Sequence, residues 1–119
     1  MFDEFADAVL GSVDVMAERV RRTGGTTLRS VGHVSALQTI ADDDDDYVAP
    51  ADMIARLLAD EAQIAEHIRR AIEVCTSNQD EPTANRLEEV LDEIERQKWF
   101  LFEITQGHAA ADQDGGGRR

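Results

Sequence analysis

Met1–Val20, MFDEFADAVLGSVDVMAERV, is the stretch that decides the fold. Its apolar residues Phe2, Phe5, Ala6, Val9, Val13, Met16, Ala17 and Val20 recur at spacings of three and four. That is the signature of a helix with one face turned inward. Along one edge of the stripe run the acids Asp3, Asp7, Asp14 and Glu18. At about 3.6 residues per turn they fall within roughly one sixth of the circumference. Ordinary surface acids scatter around the polar arc of a helix; these form a column. Carboxylates aligned where a helix meets its packing partner suit a hard cation, because such metals prefer oxygen ligands and a helix holds them rigidly. A solvated face in a very acidic protein is the simpler reading, and geometry alone favours it.

Helical periodicity continues outward from this segment. The first helix runs to about Arg22 and stops at Gly24-Gly25, a strong C-terminal signal. A shorter segment from about Thr27 to Ile40 carries Leu28, Val31, Val34, Leu37 and Ile40 at every third position. It reads as a short helix lying across a connection. The run Asp42 to Asp46 then breaks the pattern, since five adjacent like charges repel one another and stay solvated. Pro50 opens the next helix, with Asp52 in its first turn to match the helix dipole. The stripe Ile54, Leu57, Leu58, Ile64, Ala65, Ile68, Ile72 and Cys75 carries that helix to about Thr76.

After a turn at Ser77–Asp80, Pro82 opens the last helix. Its stripe is Leu87, Val90, Leu91, Ile94, Leu101 and Ile104, and Gly107 is its expected stop. Residues 107–119 read as a low-complexity, disordered tail, and residues 1–106 as a single domain. No segment alternates with period two, so the fold is all-α: three long helices plus a short one. An up-and-down bundle with a crossing connection usually has four long helices, and here one is missing.

Composition narrows the function classes. The chain has 119 residues, with 25 acids against 12 bases and a net charge of -13; Lys98 is its only lysine. Such a balance repels nucleic acid and anionic lipid and favours cations or basic partners. Cys75 stands alone, so no intramolecular disulfide forms and a reducing compartment is expected. No run is long and apolar enough to span a membrane, and the start lacks the basic-then-apolar pattern of a signal peptide. The sequence reads as a soluble, cytoplasmic protein.

Several of these pieces together resemble one family. Met1-Phe2-Asp3, Asp14-Val15-Met16-Ala17-Glu18-Arg19 and Gly24-Gly25 are similar to the second helix of the Dps proteins (DNA-binding protein from starved cells). These are small ferritin-like proteins that form hollow dodecamers. The short connecting helix, the acidic loop and the helix starting at Pro50 fit as well. So do Asp80-Glu81-Pro82-Thr83-Ala84-Asn85-Arg86-Leu87 and Lys98-Trp99-Phe100-Leu101 in the last helix. The resemblance covers roughly residues 1 to 106. It implies a ferritin-like antiparallel four-helix bundle whose first helix is missing here. It also turns the acidic column from a solvated edge into a candidate metal site.

The resemblance further implies what that site does. In Dps proteins an iron-oxidising centre lies between two subunits related by a two-fold axis. Asp3 matches the acid that works beside two histidines of one subunit, while Asp14 and Glu18 match the acids supplied by the partner. Ferrous iron is oxidised there, preferentially by hydrogen peroxide, and the ferric product is stored as mineral. The expected function is therefore an iron-binding stress and starvation protein that stores iron and protects DNA from oxidative damage. Asp7 has no matching role and is taken as lining. Iron uptake in the family uses acidic pores at three-fold axes. Glu81 matches one pore acid, Asp80 adds charge, and Asn85 stands where another acid is usual; a helix-start acid pair facing the dipole is an equal reading of Asp80 and Glu81.

Departures from the pattern set further expectations. The family's two iron-binding histidines would lie just before Met1, so the chain reads as an N-terminally truncated member with little ferroxidase activity by itself. His33, His67 and His108 fall in the connection, the third segment and the tail, where structural roles are expected. Trp99 and Phe100 read as core or subunit-interface aromatics. The tail offers only Arg118 and Arg119, offset by Asp112 and Asp114, so direct DNA binding is not expected. The alternative function is a non-catalytic helical interaction protein that kept the bundle and lost its metal site.

Overall fold

A computed structural model describes residues 1–114 as four helices and the segments between them. They are α1 (Phe2–Arg22), α2 (Val31–Leu37), α3 (Pro50–Ser77) and α4 (Glu81–Asp114). The all-α expectation holds, with three long helices and one short one.

The ends of α1 and α3 form for reasons visible in the chain. Gly24 takes a left-handed φ of 88°, its N–H donates to the Arg21 carbonyl, and the Gly25 N–H donates to the Val20 carbonyl. This is a Schellman closure, which satisfies carbonyls a helix end would otherwise leave free. A Cβ on Gly25 would meet Val20 Cγ1 at 2.9 Å, so the second glycine is there for space. Helix α3 begins with Pro50 in its first turn, where a missing N–H costs nothing. It ends in the same Schellman pattern, but Gln79 holds the left-handed position at φ 60°. Asp80 then donates its backbone N–H to the Cys75 carbonyl while its side chain caps α4 by accepting from the Thr83 N–H. One residue thus closes α3 and opens α4.

Two expected boundaries differ. The connecting helix is confined to Val31–Leu37, because Ser30 caps it by accepting from the His33 N–H and Gln38 turns to extended backbone at φ -60°, ψ 144°. Helix α4 does not stop at Gly107 but continues to Asp114. A glycine inside a helix costs only about 1 kcal/mol relative to alanine, and the following His108-Ala109-Ala110-Ala111 restores helix propensity. Residues 107–114 of the expected tail are therefore helical, and the remainder lies outside the described residues.

Helix α4 is the central strut. Both α3 and α1 pack on it, and among the described residues the backbones of α1 and α3 stay apart from each other. Phe5 of α1, Ile54 of α3 and Leu101 of α4 meet in one buried cluster, with Leu57, Leu58 and Ile104 against it. The Arg96 guanidinium stands 5.9 Å from the ring centres of both Phe5 and Phe100. Trp99 and Phe100 are not core: Trp99 is 59% exposed and stacks edge-on against Phe100 at 5.3 Å. At about 100° per residue Trp99 lies some 160° around α4 from Leu101, so the two cannot both face inward.

The far end of α1 is held by charge. Arg19 Nη2 donates to Asp80 Oδ1 at 3.0 Å, and its Nε donates to Thr83 Oγ1 at 2.9 Å. The hydrogen bonds from Thr83 and Arg19 hold the Asp80 carboxyl below the usual carboxylate range. Arg19→Ala is expected to cost about 1.5 kcal/mol, the scale of hydrogen bonds to a half-buried charged group. Arg19→Lys should recover little of it, since one ammonium cannot serve both partners in the guanidinium's fork. Denaturant unfolding of both variants checks this.

Candidate metal centre

Phe5 and Arg19 fix how α1 is rotated. Both face α4, and at about 100° per residue they lie within some 40° of each other around the helix. The column of Asp3, Asp7, Asp14 and Glu18 is centred about 150° away from that side. All four carboxylates are exposed, as this rotation requires. The apolar stripe lies between. One edge packs on α4, while its other side is open, with Val9, Leu10 and Val13 left 39%, 69% and 54% exposed. The column therefore flanks an uncovered apolar strip.

Spacing along the helix limits what one chain can do with these acids. Asp14 and Glu18 are one turn apart, with Cβ atoms about 6 Å from each other, close enough to ligate together. Asp3 is three turns from Asp14, about 16 Å along the axis, too far to share an ion with it. Among the described residues no group of three or more His, Cys, Asp or Glu side chains is placed to hold a metal ion within the single chain. Nor do the histidines converge on the column. His33 Nδ1 accepts from the Arg29 N–H, His67 Nδ1 stands 3.4 Å from Thr39 Oγ1, and His108 is exposed on the end of α4.

The pore candidates lie at the start of α4. Glu81 is its exposed first residue, and Asp80 precedes it with its carboxylate engaged by Arg19 and Thr83. The aspartate run is exposed yet anchored. Arg56 of α3 donates to Asp43 at 2.8 Å and to Asp45 at 2.7 Å, and the hydrogen bond from Arg56 lowers the Asp43 carboxyl. Cys75 is half-buried, and burial together with the Asp80 charge pushes its thiol up, away from a reactive thiolate.

Between α1 and α3 runs a groove of about 730 Å³. Its walls include Val9, Leu10 and Val13 of α1, Ile40 of the connection, and Leu57 and Ile64 of α3. Its floor holds two polar side chains that the sequence reading passed over, Glu61 and Gln97, only 5% and 0% exposed. Gln97 Nε2 donates to Glu93 Oε1 at 3.0 Å, but Gln97 Oε1 and Glu61 Oε2 have no partner. The signal for both was a gap. The α3 stripe steps from Leu58 to Ile64 and the α4 stripe from Ile94 to Leu101, each missing its inward residue. Burial, reinforced by the Glu93 charge, pushes the Glu61 carboxyl up to about 7.

That shift has a sign. Between the ordinary carboxyl range near 4.5 and about 7, the folded chain holds a proton on Glu61 that the unfolded chain has released. Stability therefore falls as pH rises through this window and levels off above it. Glu61→Gln removes the titration. It is expected to flatten that decline and to be more stable than the parent above pH 7 by about 2 kcal/mol, at 1.36 kcal/mol per pH unit with water in the open groove relieving part of the penalty. Chemical unfolding of both proteins across the window measures it.

Comparison with known proteins places this architecture. The family model for the ferritin-like domain matches residues 1–107. An uncharacterised low temperature-induced protein of Nostoc sp. (strain PCC 7120) and its homologue in Anabaena variabilis are each 27% identical over 108 residues. That stretch is 90% of this chain and 60% of theirs, so the chain spans well under two thirds of the curated relatives it matches. Among solved structures, Dps from Thermosynechococcus elongatus superposes with a TM-score of 0.83 at 21% identity, covering 87% of this chain and 66% of that one. At that identity the likeness speaks to the fold.

Proposed function

Because the chain belongs to the ferritin-like domain family, we propose that it works in iron oxidation and storage as part of a Dps-like homo-oligomer, a dodecamer in the Dps pattern. The observation that carries this reading is the carboxylate column: Asp3, Asp14 and Glu18 exposed together on a helix whose rotation is locked by Phe5 and Arg19. Ferrous iron is the substrate and ferric mineral the stored product.

Asp14 and Glu18, one turn apart, supply oxygen ligands from one subunit. Asp3 of a neighbouring subunit supplies another, since Asp3 and Asp14 of the same chain are about 16 Å apart and cannot share an ion. Carboxylates are hard anionic ligands, and they stabilise ferric over ferrous iron. With hydrogen peroxide as oxidant, two ferrous ions each give up one electron, the O–O bond accepts both and breaks, and two water molecules complete the ferric oxyhydroxide. Four protons are released per pair of irons. Glu81 at the start of α4 provides negative charge that would draw cations toward the interior of an assembly, with Asp80, already paired with Arg19, adding less. Protection of DNA follows from removing iron and peroxide together. The relatives' low-temperature induction fits a stress role.

The test is mineral capture. Protein produced from its own genomic locus, given ferrous iron and peroxide, should hold ferric product in solution and carry it through size-exclusion chromatography at the position of the oligomer. Ferric oxide that precipitates as it does in buffer alone would refute storage. A second reading, a non-catalytic helical interaction protein that has lost its metal site, is favoured by one observation: His33 and His67 are engaged with the Arg29 N–H and with Thr39 rather than with the carboxylate column. It predicts an oligomer or complex that leaves ferrous oxidation at the rate of buffer.

A further inference from the structure

Helix α1 is tied to the central strut near each of its ends, and an arginine stands at both ties. Arg19, on α1 itself, serves the far end through Asp80 and Thr83. At the near end the arginine comes from α4. The Arg96 guanidinium lies 5.9 Å from the centre of the Phe5 ring, within the reach of a cation–π contact. Glu4, the residue between Asp3 and Phe5, adds its negative charge to the surroundings of that guanidinium.

Arg96 is itself held on two flanks. Its Nη2 donates to Glu93 Oε1 at 2.7 Å and its Nε donates to Glu93 Oε2 at 3.0 Å, a two-bond fork one turn back along α4. Its other flank faces the Phe100 ring at 5.9 Å, and Trp99 braces that ring edge-on at 5.3 Å. Hydrogen bonds from Arg96 and then from Gln97 pull the Glu93 carboxyl down to about 2, so the fork stays charged at any working pH. As a half-exposed ion pair it adds little stability. What it supplies is orientation: a planar guanidinium fixed in its fork meets Phe5 with little freedom left to lose.

The orientation of Phe5 is also the orientation of Asp3. The two are two residues apart, which sets them about 160° apart around α1, so Asp3 turns outward as Phe5 turns inward. Arg96 therefore acts on Asp3 only through the helix between them. Asp14 and Glu18 lie toward the other tie, where Glu18 is the chain neighbour of Arg19.

We propose that Arg96 is the positioning residue for Asp3: by holding Phe5 it fixes the rotation of the first turns of α1, and so the direction in which Asp3 is offered to an ion shared with a neighbouring subunit. Arg19 serves Asp14 and Glu18 in the same way at the far end. The part given to Asp3 rests on the iron-site reading proposed above; the hold of Arg96 on α1 does not.

Arg96→Met keeps the length of the side chain and removes its charge. In protein produced from its own genomic locus, hydrogen exchange followed by mass spectrometry should show α1 amides 5–9 exchanging about fivefold faster in this variant, the scale of one partly exposed cation–π contact, while amides 15–22 change less than about twofold. Arg96→Lys should regain about half of the lost protection, since it restores the charge without the fork. Unchanged exchange over residues 5–9 would overturn the proposal. Arg96 is half-exposed, so the methionine variant is expected to fold; should it not, Arg96→Lys carries the same comparison.

Ferrous oxidation gives the second readout. With Asp3 correctly aimed in only a fraction of molecules, the half-saturating iron concentration should rise about fivefold in Arg96→Met, with the maximal rate within about twofold of the parent. In an Asp3→Ala background the same change should be silent, because the ligand it aims is gone. An equal loss in both backgrounds would make Arg96 merely structural and overturn the proposal. The two kinds of failure separate. Faster exchange with Asp3→Ala at the parental rate would refute the place of Asp3 in the iron site, and the positioning role with it. Unchanged exchange with a slow Asp3→Ala would refute Arg96 alone.

Discussion

Leu101→Ala is expected to destabilise the chain by about 3–4 kcal/mol and to lower its midpoint of thermal unfolding by roughly 10 °C. Leu101 is 0% exposed and sits where all three long helices meet, against Phe5 of α1 and Ile54 of α3. Truncation removes the transfer free energy of the lost methyl groups and leaves a cavity. Three independent helices converge on it, so the walls cannot all move inward at once. The cost therefore falls toward the upper part of the range seen for buried leucines. Leu10→Ala is the matched control. Leu10 is 69% exposed on the open side of α1, and its loss should stay within about 0.5 kcal/mol. A Leu101→Ala loss below about 1 kcal/mol would mean that α1 is not anchored on α4 as described. The carboxylate column would then have no fixed orientation.

Much of this fold was legible in the sequence because local signals and packing agree. Gly24-Gly25 and Pro50 mark helix ends by backbone chemistry that no tertiary contact overrides, and the structure ends α1 and starts α3 where they stand. Gly107 is a weaker signal. A lone glycine carries a penalty of about 1 kcal/mol, and the alanines that follow outweigh it. Trp99 and Phe100 were expected in the core or at a subunit interface, and the core alternative fails for a geometric reason. A helix packed along one side of its circumference cannot turn Leu101 and Trp99 inward together.

The candidate site was legible in part. The column of Asp3, Asp7, Asp14 and Glu18 follows from spacing alone. Which edge of the α1 stripe is covered does not, because that depends on Arg19 reaching Asp80 and Thr83, more than sixty residues away in the chain. Glu61 and Gln97 were visible only as gaps in two stripes, and a gap looks like noise until both prove to face the same groove. Arg56 was hidden for a similar reason. Its partners Asp43 and Asp45 looked like a solvated run, and only the path of the connection beside α3 brings them within reach.

The second large effect concerns the carboxylates themselves. Asp14 and Glu18 are exposed, and neither engages another side chain of the described chain in a hydrogen bond or ion pair, so removing either should leave folding nearly unchanged. Their expected loss is in chemistry. Replacing residues that merely orient metal ligands commonly costs 10–100-fold in affinity or activity, so replacing a ligand should cost at least roughly tenfold. If the two act on the same ion, the double variant should lose little more than the worse single one, because the losses are not additive within one unit. Glu88→Ala on α4 is the control, an exposed acid that removes the same charge away from the column.

The deciding measurement is the initial rate of peroxide-driven ferrous oxidation, with protein produced from its own genomic locus, for the parent, Asp14→Ala, Glu18→Ala and Glu88→Ala. The account predicts a drop of at least roughly tenfold in each of the first two variants, with Glu88→Ala at the parental rate and all four proteins equally folded. Parental rates in both Asp14→Ala and Glu18→Ala would contradict it and return the column to a solvated edge.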